Sequence, residues 1–465
     1  MAKSKKTALR DLSNAELLSY VINQNPILSE NLDLPVQGQS IVPIGKLIMG
    51  NKLYRNAFIN TINLIGVTII KRNVWDNPWD FTKRGNMAFG QNVREMIVDL
   101  CNVYDYNSSD NNETRFLTNV VPNVLNYIHE INFQKFYQTT TSDSQLAMAF
   151  TSEDGLYDLI ENTIGQLYES LKYDEWLVDK YMLCRRIVDG TVTVKTIDTT
   201  GDPRYVVASM KSATNKMTFR SPNYNPAGIR RANKFEDLVT IMDADFEGVM
   251  STAVLATSYY KDEAELRTGL RLIDSFSETD EARLTELLGD AYTPFTSTEK
   301  AQLATIPAVV LAREWFMDYD YLLDAESETK QTEFYNPTTL KNNHFLHKWG
   351  VKSTSPFEQA IVFVANQTPS VSSVTVSPSS GTVIQGQALQ MSAAVVTNYF
   401  ANKAVTWSVV DSTSGEAVDG VTIDENGLLK VASDVDNNLE FTVKATSVFD
   451  STKYGTATIA TPTSL

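Results

Sequence analysis

Residues 152–187, SEDGLYDLIENTIGQLYESLKYDEWLVDKYMLCRRI, carry the strongest helical pattern in the chain. Leu156, Leu159, Ile160, Ile164, Leu167 and Leu171 recur at three- and four-residue steps, which lines them up along one face. Ser152 is placed to cap the start, with Glu153 and Asp154 in the first turn. Lys180, Arg185 and Arg186 lie towards the other end, the polarity that a helix dipole favours. At 1.5 Å per residue an unbroken helix of this length reaches roughly 50 Å. Asp174 or Gly190 would divide or end it. A helix that long predicts a spine crossing a flat domain.

Upstream of it, residues 1–50 read as an arm. Pro26, Pro35 and Pro43 interrupt it, Gly38 and Gly45 loosen it, and the apolar positions keep no steady period. A helix then fits Lys52 to Ile65, with Leu53, Ala57, Phe58, Ile62 and Ile65 on one face and Gly66 as its stop. From Val67 to Tyr106 the pattern turns strand-like. VTIIKRNV is rich in β-branched residues, a WDNPW turn follows, and Gly85 and Gly90 suit reversals, so a long hairpin or loop is expected.

Downstream, helices and strands alternate irregularly. VTVKTI reads as a strand, Tyr205 to Met217 as a helix, LVTIMDADF as a strand from Leu238, and Asp262 to Leu270 as a helix. PAVVLAREWFMDYD and AIVFVANQ read as buried strands. Composition shifts after Ala365, where Ser, Thr, Gly and Pro punctuate short alternating runs. About seven strands in roughly 95 residues fit a β-sandwich. Trp407, the sandwich's only tryptophan, sits mid-strand at a core parity. Core packing is the expected role, with a carbohydrate platform as the alternative.

Composition narrows the function. Hydrophobic content of 43% and charged content of 21% are those of a folded globular protein. A net charge of -16 argues against a dedicated nucleic-acid binder, whose affinity comes from clustered Lys and Arg. The two cysteines, Cys101 and Cys184, fall in an extended segment and a helix. That placement predicts neither a disulfide framework nor a cysteine zinc site, and suits a reducing compartment. The start, MAKSKKTALRDLSNAELL, lacks the apolar run of a secretory signal, and no stretch of about 20 apolar residues predicts a membrane span.

Candidate chemistry is sparse. His344 and His347 form an HxxH pair that would share a helix face, but no Glu or Cys at the usual spacing completes a zinc set. His129 sits in VLNYIHEINFQKFYQ, whose aromatic density predicts packing or an interface. Asp243 and Asp245 could pair for metal or acid–base work, yet no third group accompanies them and a strand end leading into a turn is the simpler reading. There is no GxSxG elbow, no Walker loop and no Cys–His pair. Catalytic, cofactor and metal residues are therefore expected to be none.

Several segments, in order along the chain, resemble the major capsid proteins of phi29-like podoviruses. They are IGVTIIKRNVWDNPW, VPNVLNYIHEINFQKFYQTTTSDSQLAMAF, EDLVTIMDADFEG, AREWFMDYDYL and EFYNPTTLKNNHFLHKWGVKSTSPFEQAIVFV. The C-terminal run SVTVSPSSGTVIQGQALQMSAAVV, with VTWSVVD and the Asp424-x-x-Gly427 turn of VTIDENGLLKV, is similar to bacterial Ig-like group 2 (BIG2) domains. The resemblance implies an α+β, HK97-like capsid fold followed by an all-β Ig-like sandwich. Its parts would be an N-terminal arm at 1–50, a capsid domain at 51–365 and the Ig-like domain at 366–465. Within the capsid domain it implies an extended loop at about 67–125, the spine helix at about 152–187 and an axial region within about 200–360. The stretch 265–310 fits least well and reads as an insertion.

The implied function is that of a virion structural protein, the self-assembling head subunit of a tailed bacteriophage. It would form pentamers and hexamers in the host bacterial cytoplasm, meet scaffolding protein and portal, and touch packaged DNA only weakly. An acidic balance suits such a container, because a strongly basic wall would grip DNA. The Ig-like segment, with nine acids against four lysines and no arginine, reads as a solvated outer knob that braces neighbours or adheres weakly. The rivals are a surface adhesin displaying the same module, and a metal-dependent hydrolase built on His344, His347 and Asp245.

Overall fold

The computed structural model describes residues 13–462 apart from 37–39, 71–74, 89–90, 102, 104–118, 123, 152–154, 202, 256–268 and 324–326. The spine is helical throughout its described length. An α-helix over Gly155–Ile160 runs through a π-helical turn at Glu161–Gly165 into a second α-helix, Gln166–Val188. The expected cap, Ser152, and Glu153 and Asp154 lie outside the described residues. Asp174 does not divide the helix, because its buried carboxylate faces sideways to accept from Arg283 Nε and Nη2 at 2.9 and 2.8 Å. Gly190, at φ +72°, follows the last turn.

The spine serves two cores. Leu156, Ile160 and Ile164 pack with Leu17, Leu18, Ile22 and Phe58, whereas Leu177, Leu183, Cys184 and Ile187 pack with Ile241, Val309, Leu311 and Val362. The first of these corrects the reading of residues 1–50. That segment holds helices at Asn14–Gln24, Pro26–Ser29 and Val42–Gly50. A reciprocal cap opens the first of them: Ser13 Oγ accepts from the Glu16 amide, and Glu16 Oε2 accepts from the Ser13 amide at 2.9 Å. Leu17, Leu18, Val21 and Ile22 then keep a helical period that the prolines masked. The following helix runs Lys52–Ile70, so Gly66 does not end it and Val67 to Ile70 are helical, not strand. Local propensity at VTII gives way to continuation of a helix already nucleated.

The strands before residue 366 are β1 (Lys83–Met87), β2 (Val93–Val98), β3 (Val124–His129), β4 (Phe133–Ser142), β5 (Thr193–Ile197), β6 (Leu238–Asp243), β7 (Leu270–Ile273), β8 (Ala308–Ala312), β9 (Phe316–Tyr321), β10 (Thr329–Asn336), β11 (Lys341–Thr354) and β12 (Ala360–Ala365). One sheet runs β1-β9-β11-β10, with β4 also paired to the long β11. A second runs β5-β12-β8-β6-β7, and β2 with β3 forms a separate ribbon. The continuous apolar runs AVVLA and AIVFVA are two of the three inner strands of the second sheet, buried on both faces. The expected hairpin begins later than Val67, since β1 belongs to the first sheet. The proposed helix over Asp262 to Leu270 lies mostly outside the described residues, and Leu270 already begins a strand.

Within the stretch 265–310, read as an insertion, the described residues from 269 onward contribute to the main core. Helices Glu281–Leu288 and Ser297–Leu303 bury Leu284, Leu287 and Leu303, and the Tyr181 ring of the spine meets Tyr292 and Phe295 at 5.2 and 5.7 Å. Beyond Ala365 the chain is all β. Its strands are β13 (Ser370–Ser377), β14 (Ser380–Thr382), β15 (Ala388–Gln390), β16 (Ser392–Asn398), β17 (Val405–Asp411), β18 (Val421–Ile423), β19 (Leu428–Val431), β20 (Glu440–Ser447) and β21 (Tyr454–Ala460). The surplus over the expected seven comes from short pieces such as β14 and β15. These strands enclose a core of their own around Val376, Met391, Leu429, Phe441, Val443 and Ile459.

Candidate assembly surfaces

β2 and β3 pair only with each other, in register from Val93 opposite His129 to Val98 opposite Val124, and Val93 at the root packs against Met87, Tyr321 and Val351 of the first sheet. An isolated two-stranded ribbon is marginal in water, and this one exposes apolar side chains on both strands and beyond. Met96 is 69% exposed, Val121 84% and Val103 94%, with Val98, Leu100, Val120, Val124 and Ile128 also exposed. A cluster of exposed apolar side chains along one ribbon is the kind of surface that marks a contact site. Cys101 is exposed on the same extension.

His129 fixes the ribbon's root. It is 2% exposed; one ring nitrogen lies 3.0 Å from Glu95 Oε2 on the facing strand and the other 3.0 Å from Ser353 Oγ on β11. Asn132 then ties the chain to the Lys352 backbone through two hydrogen bonds, at 2.7 and 2.8 Å. The expected packing role of His129 therefore has a specific form, a polar rivet between a projecting ribbon and the central sheet.

Beneath the spine lies a buried ion network that the sequence reading missed. Lys348 Nζ sits 2.7 Å from Asp320 Oδ1 and 3.5 Å from Glu175 Oε1, and Lys83 Nζ is 3.0 Å from Glu175 Oε2. Lys352 Nζ lies 2.5 Å from Asp318 Oδ2 and 3.1 Å from Asp179 Oδ1, while Thr82 Oγ donates to Asp179 Oδ2 at 2.9 Å. Burial pushes the Asp318 carboxyl up to about 7 and also raises Asp179, with Lys352 opposing both. Burial works the same way on Asp320, but Lys348 and Lys83 outweigh it and hold that carboxyl low. The available signal was parity. Asp318 and Asp320 are two apart on one strand, Lys348 and Lys352 four apart on its neighbour, and Glu175 and Asp179 four apart on a helix.

The C-terminal β unit is seated directly on the spine. Phe400, 2% exposed, enters the main core, and a Cβ on Gly190 would stand 2.7 Å from the Ala401 carbonyl oxygen. At the junction, the Asn366 amide donates to Ile197 O at 2.9 Å and its side chain donates to Thr199 Oγ at 2.7 Å.

The remaining candidates separate. His344 and His347 lie on a strand, not a helix, so a spacing of three sends them to opposite faces. His344 is buried beside Thr141, and His347 meets Thr332 on the outer side. Asp243 ends β6 and accepts from the amides of Asp245 and Phe246, capping the helix Ala244–Leu255. Among the described residues, no group of three or more His, Cys, Asp or Glu is placed to hold a metal ion. No described helix is long and apolar enough to cross a membrane. Trp407 lies half-buried at the margin of the C-terminal core, its ring against Gly427.

A family model of the phi29-like phage major capsid protein matches residues 31–364. The major capsid protein of Bacillus phage PZA is 28% identical over 95% of this chain and 91% of its own length. That of Bacillus phage GA-1 is 26% identical over 90% and 85%. Among solved structures, the capsid of Staphylococcus phage Andhra aligns at a TM-score of 0.48 with 13% identity, covering 63% of this chain and 85% of that one. With the match spanning most of the chain, this protein belongs to the phi29-like phage major capsid protein family, and it is the shell-building component of a tailed bacteriophage virion.

Proposed function

We propose that the chain is the repeating unit of an HK97-like shell, in which pentamers and hexamers close an icosahedral or prolate head around double-stranded DNA. The observation that carries this reading is the ribbon of β2 and β3. Its Met96, Val98 and Val124 are exposed, and its root is pinned by His129. A projecting apolar ribbon on a rigid base reaches over a neighbour where a compact domain could not. Specific contacts of this kind bury on the order of 800 Å² per partner.

On this reading the spine and first sheet form the peripheral region, and the axial region within about 200–360 includes β6, β7 and β8 of the second sheet. Residues 366–465 are an Ig-like domain on the outer surface, for bracing or weak adhesion. Assembly takes place in the host bacterial cytoplasm with scaffolding protein and portal, and DNA is met only by weak inner contacts. The acidic balance of the chain supports the last point. The subunit acts through contacts and not turnover.

Negative-stain electron microscopy of the purified chain, alone and with candidate scaffolding proteins, tests this. Closed shells or rings of five and six are expected; a stable monomer under every condition would overturn the reading and favour a displayed adhesin.

A further inference from the structure

Within the ion network one pair differs from the others. Lys352 and Asp318 are directly opposed across the antiparallel β9–β11 pair, so their side chains leave the same face. Lys352 Nζ touches Asp318 Oδ2 at 2.5 Å, and Asp179 from the spine reaches the same nitrogen at 3.1 Å. Their side chains are 5%, 1% and 0% exposed. Asp318 Oδ1 has no hydrogen-bond partner. An amine, a carboxyl carbon within reach of it and a second carboxylate on the amine, all shut off from water, are the components of an amide-forming site.

We propose that Lys352 and Asp318 condense to an isopeptide bond inside the subunit, with Asp179 as the proton carrier. Asp179 takes a proton from the Lys352 ammonium, and the freed amine attacks the Asp318 carboxyl carbon. The C–N bond forms, the bond from that carbon to one carboxyl oxygen breaks, and the oxygen leaves as water. Both protons of that water come from the ammonium nitrogen, one of them relayed through Asp179, so no oxidant or reductant takes part.

Two effects drive the step. Holding the reactants in contact supplies an effective concentration of about 10⁵ M or more, and condensation removes two buried ions that are costly to keep out of water. Burial also raises the Asp318 carboxyl towards the neutral form that an amine attacks.

The neighbouring pairs lack one requirement each. Asp320 opposes Gly350, not Lys348, across the strands, and two lysines keep it ionised. Asp274, which meets Lys180 at 2.6 Å, has a side chain 56% exposed, where water competes. The bond would staple two strands of the central sheet across 34 residues of sequence.

The test is the intact mass of the denatured full-length chain, followed by peptide mapping, and it does not depend on whether the chain assembles. The expected mass is one water below that of the sequence, with a branched peptide joining the segments of Asp318 and Lys352. Lys352→Arg and Asp318→Ala should restore the full mass. Asp179→Asn should leave the link unformed in a chain whose circular dichroism is unchanged. A wild-type chain of full mass with separate linear peptides, or a branch at Lys348, would overturn the proposal.

Discussion

Lys403 Nζ, in the loop before β17, donates a 2.8 Å hydrogen bond to the carbonyl oxygen of Val188, the last residue of the spine helix. The lysine satisfies one of the carbonyls that a helix C-terminus leaves open and places a cation where the dipole favours it. Three residues earlier Phe400 fills the main core beside Val188 and Val192. The C-terminal β unit is thus locked to the spine by one apolar anchor and one polar one. Phe400→Ala should cost about 3–5 kcal/mol, the usual range for an emptied aromatic site. Denaturant unfolding followed by intrinsic fluorescence measures it, and faster proteolytic release of the segment after Ala365 should accompany it. Unchanged stability would mean that the two units fold without sharing a core. Deleting residues 366–465 also removes Phe400, so lost shells in that deletion would not by themselves establish bracing between capsomers.

Gly427 gives a sharper local prediction. Its φ is +80°, and an added Cβ would meet Met391 O at 2.6 Å and the Trp407 ring at 3.0 Å. Asp424 Oδ1 holds the turn by accepting from the amides of Asn426 and Leu428, both at 2.9 Å. Gly415 also has a positive φ, +72°, but open space around it. Gly415→Ala should therefore cost about 1 kcal/mol from backbone strain alone, and Gly427→Ala clearly more, because carbonyl and ring must both shift. The difference in melting temperature between the two variants isolates the steric part. Equal shifts would refute it.

Much of this architecture was legible in the sequence where one period governs a long segment. The spine stripe from Leu156 to Leu171 and the runs AVVLA and AIVFVA each follow from a local rule, while the Asp424-x-x-Gly427 turn was marked by its likeness to Ig-like domains. What was hidden depended on partners distant in sequence. Prolines at 26, 35 and 43 read as the marks of an arm, yet Pro26 and Pro43 open helices, where a missing amide costs nothing. His344 and His347 read as one face because the HxxH spacing presumes a helix. Lys348 and Lys352 carry no local mark of burial, since a lysine goes inside only when acids from other elements meet it there. Those acids lie on the spine and on β9, beyond any local window.

His344 predicts a pH dependence. Burial holds its imidazole down to about 4, neutral in the folded chain. Nε2 meets Thr141 Oγ at 3.1 Å, Nδ1 is buried without a hydrogen-bond partner, and the residue lines a small cavity with Ile59, Leu146, Leu159, Ile164, Asn342 and Asp143. Across the strand pairs it faces Glu333 and Thr139. With the unfolded value near 6.5, the unfolded chain binds the extra proton between about 4 and 6.5, so stability rises with pH across that window. The contribution is complete above about 6.5 and is lost as the pH falls towards 4, for about 3 kcal/mol at most. His344→Gln should flatten this part of the profile in urea melts taken from pH 4 to 7. An unchanged slope would show that His344 does not titrate there.

The ribbon separates folding from assembly. Met96 and Val98 are exposed on β2, and Val98 lies directly opposite the exposed Val124. Met96 and Val98 are 69% and 56% exposed, so replacing both with Asp should change the subunit's own stability by no more than about 0.5 kcal/mol for each site. Between subunits the same carboxylates would have to be buried unpaired, at a cost of several kcal/mol each. The double variant should therefore be a folded species that sediments as single subunits under conditions where the wild type forms rings or shells. Val448 and Phe449, exposed on the C-terminal unit, provide the control, and Asp at both positions should leave shell formation intact. Normal shells from the ribbon variant would move the decisive contact elsewhere on the subunit.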